Sequence, residues 1–170
     1  MKRYTLYLLL FIFPLMSSTC DDDDDPSAGG DDLPGALVAN IDGQSIDFRY
    51  QPRAFEGTSQ AGDDIFDAIF IKGATSVDFS KELNINILNP AVGSFDLDFE
   101  NSQSGLRTAI TYSQIFSNGT GINYYSINGT LTVTELGNRI KGTFNGTLFN
   151  QDEDNEIPIE GSFDLEVVSD

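Results

Sequence analysis

An acidic segment near the end of the chain carries the side chains best suited to bind a metal ion. Asp152, Glu153, Asp154 and Glu156 surround Asn155 within five consecutive positions. Hard cations such as Ca²⁺ prefer carboxylate and amide oxygens, so we take Asp152, Asp154 and Glu156 as candidate ligands of a weak calcium site. The spacing does not match an EF-hand loop, and the alternative is a solvated, charged turn between two strands. Calcium is the only cofactor that the sequence suggests.

The other carboxylates do not form a catalytic pattern. Asp63, Asp64 and Asp67 make a weaker cluster with the same two interpretations. Two carboxylates about 5–10 Å apart can hydrolyse a glycosidic bond, but nothing in the sequence selects such a pair. The chain has no histidine and no serine in a Gly-x-Ser-x-Gly elbow. We therefore predict that the protein is not an enzyme, and we keep a carboxylate-based hydrolase as the least favoured alternative.

Aromatic side chains beside a polar loop are candidates for binding a partner. Phe116 lies in the polar segment 113–121, and Tyr124 and Tyr125 follow it. Neighbouring residues of a regular strand face opposite sides, and we predict that Tyr124 points inward. Phe116 and Tyr125 are then candidates to stack on a sugar ring or a protein partner. Ordinary packing on a sheet face is the alternative.

The only cysteine, Cys20, follows a segment with the order of a secretory leader. Lys2 and Arg3 precede the apolar residues 6–16, and small residues occupy 17–19. This order is typical of a signal peptide, and the apolar run is shorter than the roughly 20 residues that span a bilayer. We predict that residues 1–19 are a signal peptide. One cysteine cannot form an internal disulfide or a cysteine-cluster zinc site.

The residues after Cys20 are strongly acidic. Residues 20–35 contain little to bury, and we predict that they form a disordered tether. Two of the nine basic residues precede Cys20, so the chain from Cys20 has seven basic and 27 acidic residues and a formal charge of −20. Such a surface repels phosphates, and we predict no nucleic-acid partner. The tether begins with five consecutive carboxylates: Asp21, Asp22, Asp23, Asp24 and Asp25.

Residues 36–170 have the pattern of a single all-β domain. Apolar and polar residues alternate in many short runs, and Gly, Asn and Asp separate them. Asp42-Gly43, Asn128-Gly129 and Gly137-Asn138 are predicted hairpin turns, and 51–64 is a predicted loose connection. Across Asn128-Gly129, Tyr124 should then face Val133. We predict an antiparallel β-sandwich of about eight to ten strands, mostly sequential hairpins, with a closed up-and-down, lipocalin-like barrel as the alternative.

The last strands allow a prediction of register. Side-chain size favours a pairing in which each glycine lies opposite a large apolar residue, which protects glycine within a sheet. Pairing Leu148 with Ile157 achieves this for the three glycines of the two strands. The predicted partners are Gly146 with Ile159, Gly161 with Phe144, and Gly142 with Phe163. The turn at 137–138 in turn pairs Leu131 with Phe144 and Val133 with Gly142.

Two parts of the chain resemble a known group of proteins. Residues 17–25, SSTCDDDDD, resemble the lipoprotein signals of Bacteroidetes, in which an acidic run follows the lipidated cysteine. ALVANIDGQSIDF, GTLTVTELGNRIKGTFNGTL and GSFDLEV resemble segments of small Bacteroidetes lipoproteins without an established activity. The resemblance implies that Cys20 carries acyl chains such as palmitate, and that Asp21 to Asp25 direct export to the exterior of the outer membrane. Several acyl chains give firm membrane attachment.

These observations together give an expected function. We expect a lipid-anchored domain of the outer membrane, facing the cell exterior, with a non-catalytic binding or envelope accessory role. Its partners would be the membrane, through Cys20, and a protein or a glycan. The first alternative is a lipocalin-like carrier of a small apolar ligand, which requires an apolar interior cavity.

Overall fold

The computed structural model describes residues 35–61, 63–97 and 108–168, all within one compact unit, Asp32–Asp170. The predicted lipidation site Cys20, the export residues Asp21 to Asp25, the signal peptide and all of the tether except Gly35 lie outside the described residues. No helix in the described parts of the chain is long and apolar enough to span a bilayer. The described strands are β1 (Ala36–Ile41), β2 (Gln44–Asp47), β3 (Tyr50–Ala61), β4 (Asp64–Ala74), β5 (Lys81–Leu88), β6 (Gly93–Asp96), β7 (Ala109–Ile115), β8 (Gly121–Glu135), β9 (Arg139–Asn150) and β10 (Asn155–Val168).

The fold is the predicted all-β sandwich. The described strands form one sheet in the order β2-β1-β10-β3-β4-β5-β7-β8-β6, and β9 pairs with both β10 and β8. The described pairings are antiparallel except for β10 with β3, which pair in parallel through Val167↔Ala54 and Val168↔Phe55. The order departs from an up-and-down arrangement, because β5 pairs with β7 and β6 pairs with β8.

The core lies between the layers of the folded sheet. The ring of Phe48, between β2 and β3, meets the ring of Tyr112 in β7 edge to face at 6.4 Å between centroids, although β7 pairs with neither β2 nor β3. The Leu37 side chain of β1 lies against Gly73 of β4, where a Cβ would come within 2.9 Å of it. Burial raises the pKa of the Tyr112 phenol, whose hydroxyl accepts a 2.7 Å hydrogen bond from Gln114 Nε2. The interior is therefore filled by packed side chains at these positions.

The predicted register of the last three strands is confirmed. Glycine and large apolar residues lie opposite each other, and a Cβ on Gly142 would lie 2.4 Å from Cζ of Phe163. A Cβ on Gly161 would lie equally close to Cζ of Phe144. The observed pairs are Leu148↔Ile157, Gly146↔Ile159, Phe144↔Gly161 and Phe163↔Gly142 between β9 and β10, and Leu131↔Phe144 and Val133↔Gly142 between β8 and β9.

Asp42-Gly43 forms the turn that the sequence predicts, and Asn128-Gly129 does not. Asp42 and Gly43 have φ angles of 51° and 75° and form the predicted hairpin turn between β1 and β2. The turn predicted at Asn128-Gly129 is wrong, because both residues lie inside the continuous strand β8. They lie next to a bulge between Ser126 and Asn128, where the register with β9 shifts by one residue. Tyr124 consequently pairs with Tyr112 rather than with Val133.

The loose connection predicted for 51–64 is also wrong. Residues 50–61 form the long strand β3, which pairs with β4. The proline that weakened the strand pattern, Pro52, lies in an irregularity between Tyr50 and Arg53, where the ladder does not need its missing N–H. Directly after it, Arg53 is exposed and Ala54 is buried, so these two residues face opposite sides of the sheet.

Candidate functional site

A cleft of about 200 Å³ lies on the solvent side of β3, β4 and β5. The strand β3 supplies Tyr50 and Arg53 on either side of the irregularity at Pro52, β4 supplies Lys72, and the loop between β4 and β5 supplies Phe79. The cleft therefore combines aromatic, charged and amide side chains within a small surface. The lining residues that matter for its chemistry are Tyr50, Arg53, Lys72, Phe79, Glu82 and Asn84.

Two cations of the cleft lie directly opposite each other. Arg53 of β3 pairs with Lys72 of β4. The Arg53 Cζ and the Lys72 Nζ lie 5.7 and 5.5 Å from the centroid of the Phe55 ring, so both make cation–π contacts with it. Phe55 is stacked on Phe70 with 5.3 Å between centroids and 22° between planes. Two positive charges are thus held over one aromatic pair.

Arg53 and Lys72 differ from the three described basic residues that form ion pairs, half of the six described. Neither forms an ion pair with a described residue, and Lys81 is the other described cation of which this is true. The remaining described cations each have a carboxylate partner. These pairs are Arg49 with Asp47 at 2.6 Å, Lys141 with Glu135 at 3.0 Å, and Arg139 with Asp164.

A second aromatic pair, Tyr50 and Phe79, lines the cleft. The Tyr50 and Phe79 rings meet edge to face at 5.5 Å. Phe79 belongs to the loop between β4 and β5, and its N–H donates to the carbonyl of Ser76 at 3.0 Å. The Asp78 carboxylate accepts from the Ser76 hydroxyl and from the Ser80 N–H, and these bonds lower the pKa of Asp78 below 3.8. Local hydrogen bonds therefore fix the loop that presents Phe79.

Backbone strain is also concentrated at this cleft. Of the non-glycine residues with positive φ in the described chain, three are Asp or Asn, which adopt this conformation most readily. The other two are Gln51, at 48°, and Phe79, at 53°. Both line the cleft. Such strain persists only where surrounding contacts impose it, and it occurs preferentially at functional sites.

A row of outward-facing residues continues from the cleft across the sheet. Each member lies directly opposite the next on the neighbouring strand. With a spacing of about 4.8 Å between strands, Arg53 lies about 19 Å from Tyr125, four strands along the row. The row presents charged, amide, hydroxyl and aromatic groups to solvent. Its members are Arg53, Lys72, Asn84, Thr111, Tyr125, Phe149 and Glu156.

The structure does not bring the two predicted aromatic candidates together. Tyr125 is half-buried in β8, in the row just described. Phe116 is 44% exposed in the loop between β7 and β8, where its N–H donates to the Thr120 carbonyl. Phe116 lies five positions after Thr111, the partner of Tyr125, which corresponds to about 17 Å along the strand direction. Tyr125 thus belongs to the row of outward-facing residues that continues from the cleft, and Phe116 does not.

The candidate calcium ligands lie on a tight exposed turn. Asp152, Asp154 and Glu156 are all exposed, and Asp154 has a φ of 48°. The Asn150 side chain accepts from the Glu153 N–H at 2.8 Å, which closes the turn. In residues 35–61, 63–97 and 108–168, no three His, Cys, Asp or Glu side chains are grouped so as to hold a metal ion.

The features required by the two alternative functions can also be located. Every described carboxylate is exposed or partly exposed, so the described residues offer no buried pair for hydrolysis. Another cleft, of about 710 Å³, is lined by both polar and apolar residues, among them Glu56, Asp67 and Asn138. It therefore differs from the apolar interior cavity that a lipocalin-like carrier needs.

The sequence analysis missed Arg53, Lys72 and Phe79. The alternation Arg53-Ala54-Phe55 was a usable signal, since it places one polar and one aromatic residue on the same strand face. Pro52 concealed it by suggesting a loop. The position of Phe79 had no comparable signal, because it depends on a loop conformation that is unusual for an aromatic residue. Comparisons with protein-family models, curated proteins and solved structures find no match to this chain.

Proposed function

We propose that this protein is a lipid-anchored domain of the outer membrane that faces the cell exterior and binds a ligand there without catalysis. The binding part of the proposal rests on the cleft of β3, β4 and β5, where two cations without an ion pair to a described residue lie beside the Tyr50–Phe79 pair and over the Phe55 ring. Such a mixture of apolar surface and a few convergent polar groups is typical of ligand sites. The anchoring part rests on the sequence around Cys20.

The binding surface has a rigid support. β4 is hydrogen bonded on both sides, to β3 and β5, and β5 is hydrogen bonded on both sides, to β4 and β7. The main chain of an interior strand is held by two neighbours and loses little further freedom on binding. This arrangement supports recognition by the outer face of the sheet.

The anchor is tested by replacing Cys20 with serine in the full chain. We expect the wild type to incorporate labelled palmitate and to fractionate with the outer membrane, and Cys20→Ser to lose both properties. If Cys20→Ser protein carries no palmitate and still fractionates with the outer membrane as the wild type does, the lipid anchor is contradicted.

Surface exposure is tested by adding protease to intact cells. Replacing Asp21 to Asp25 with asparagine should protect the protein from the protease. The matched control replaces five other aspartates, Asp63, Asp64, Asp67, Asp152 and Asp154, and changes the charge by the same amount. Equal protease sensitivity of the wild type and both variants would contradict the role of the acidic run in export.

A further inference from the structure

We propose that the cleft formed by Arg53, Lys72, Tyr50 and Phe79 binds an acidic sugar, a single hexuronic acid residue within an otherwise neutral glycan. This inference rests on the proposed binding function and names its ligand class.

The summed charge of the cleft side chains favours the binding of one anion. Like charges directly opposite each other destabilise a sheet, yet Arg53 and Lys72 occupy such a pair. They have no carboxylate partner among the described residues, although the chain has 27 acidic residues. Glu82 also lines the cleft, so one further negative charge would bring these three side chains to neutrality. A carboxylate matches the fork of the Arg53 guanidinium.

The other side chains of the cleft suit a sugar ring. The Tyr50–Phe79 pair lines the cleft beside the cations, and an apolar ring face can pack on it. Asn84 lies opposite Lys72 and carries both donors and an acceptor for hydroxyl groups. Thr111 and Tyr125 continue the row beyond Asn84, so neighbouring neutral sugars of the same glycan would meet hydrogen-bonding groups.

An acidic peptide fits this surface less well. Extended peptides commonly bind by adding a strand to an exposed sheet edge, where main-chain hydrogen bonds supply affinity. Lys72 and Asn84 belong to β4 and β5, which already have partners on both sides. The cleft therefore offers side chains and no free main-chain ladder at these positions.

A densely charged polymer is disfavoured by the rest of the protein. The chain has a formal charge of −18 as written. Beyond Arg53 and Lys72, the next members of the row, Asn84, Thr111 and Tyr125, are uncharged. Additional anionic groups of a polymer would therefore meet no further cation of the row, whereas a sparsely charged glycan needs only the two in the cleft.

The test uses the full mature chain solubilised in detergent and measures binding by calorimetry. The probes are oligosaccharides that each carry one glucuronic or galacturonic acid, together with the same oligosaccharides after reduction of the carboxyl group. We expect at least one acidic probe to bind, and its reduced form to bind about tenfold more weakly or worse, since a charge-assisted hydrogen bond is lost.

Variants connect the binding to the cleft. Arg53→Gln and Lys72→Gln should each weaken binding of the acidic probe by roughly tenfold or more and leave binding of the reduced probe nearly unchanged. Arg49→Gln combined with Lys81→Gln removes two cations outside the cleft lining and should preserve binding. Thermal unfolding of each variant establishes that it is folded.

The outcomes separate this inference from the function on which it rests. Equal binding of the acidic and reduced probes, or equal loss in the Arg49 and Lys81 control, overturns the acidic-sugar assignment while glycan binding stands. Preferential binding of heparin or polyglutamate overturns it in favour of a polyanion or an acidic peptide. If no oligosaccharide binds at millimolar concentration, the assignment fails, and the surface-exposure experiment still judges the anchored location independently.

Discussion

Strands β8–β10 and strands β3–β5 use cross-strand neighbours in opposite ways. In the first region, a small residue lies opposite a large one, as with Gly142 and Phe163. In the second region, the cations Arg53 and Lys72 lie opposite each other on the solvent side. The first arrangement stabilises the fold by itself. The second places two like charges side by side, and of the described contacts only the cation–π contacts with Phe55 offset the repulsion.

This difference separates residues that build the fold from residues that are available for recognition. A sequence folds reliably where its local preferences agree, and conflicts that persist mark functional sites more often than defects. The β3–β5 region combines three such conflicts: like charges in register, a proline in a strand, and an aromatic residue at positive φ.

Removing one phenylalanine from each region should give the largest contrast. Phe163 is 2% exposed, and Phe163→Ala should lower the free energy of unfolding by about 3–5 kcal/mol. Phe70 keeps part of its surface in solvent, and Phe70→Ala should cost about 1–2 kcal/mol. Urea unfolding measures both. Equal losses would show that the β3–β5 face is as much a part of the core as β10.

Adding one methyl group should distinguish a packed glycine from an open one. A Cβ on Gly142 would lie 2.3 Å from the Thr132 carbonyl oxygen as well as against Phe163, so Gly142→Ala should cost about 3 kcal/mol. Gly137 has open space around it and no positive φ, and Gly137→Ala should change stability by at most about 0.5 kcal/mol. Comparable midpoints in urea for both variants would contradict the size-matching explanation of the register.

The sequence was sufficient for the β8–β10 region because its signals are local and consistent. Alternation excludes a slip by one residue, because such a slip would turn every side chain to the wrong face. Residue size then selects one of the registers that remain. The same information failed at Asn128-Gly129. That dipeptide suits a tight turn and also a bulge, and only the distant pairing of β8 with β7 and β6 decides between them.

The β3–β5 region could be predicted only in part. The alternation of apolar and polar residues predicted strands here, as in the rest of residues 36–170. The cleft depends on Pro52 being placed at an irregular position and on a loop that imposes a positive φ on Phe79. Both are outcomes of tertiary packing, and no sequence period encodes them. The candidate site was therefore the least predictable part of the described domain.

Relieving strain at the cleft should have a smaller effect, in the opposite direction. Gln51 is exposed and has a φ of 48°, so Gln51→Gly removes a steric cost and should stabilise the protein by up to about 1 kcal/mol. Gln44 is exposed in β2 without positive φ, and Gln44→Gly should destabilise by about 0.5–1 kcal/mol. Thermal unfolding measures both changes. A loss of stability in Gln51→Gly similar to that in Gln44→Gly would mean that the backbone at Gln51 is not strained.

The smallest effect concerns the charge that holds the loop beneath Phe79. Hydrogen bonds from the Ser76 hydroxyl and then from the Ser80 N–H lower the pKa of Asp78 below its usual 3.8. Because the pKa is lower in the folded protein than in the unfolded chain, the stabilisation by the Asp78 carboxylate is present above about pH 3.8. It is lost as the pH falls through the lowered value. NMR titration should find a midpoint below 3.8 for Asp78, with the Tyr50 ring signals shifting over the same pH range as Phe79 is released.

Replacing Ser76 tests the cause of this shift. Ser76→Ala removes the larger contribution and should move the Asp78 midpoint upward, toward 3.8, while Tyr50 keeps its contact with Phe79 at neutral pH through the Phe79 N–H bond to the residue 76 carbonyl. Replacing Ser113, whose hydroxyl bonds Asn123 on another part of the face, should leave the Asp78 midpoint in place. If Ser76→Ala does not move the midpoint, the loop is held by its backbone alone. The conformation of Phe79 would then not depend on pH, like the register of β9 and β10, which side-chain size determines.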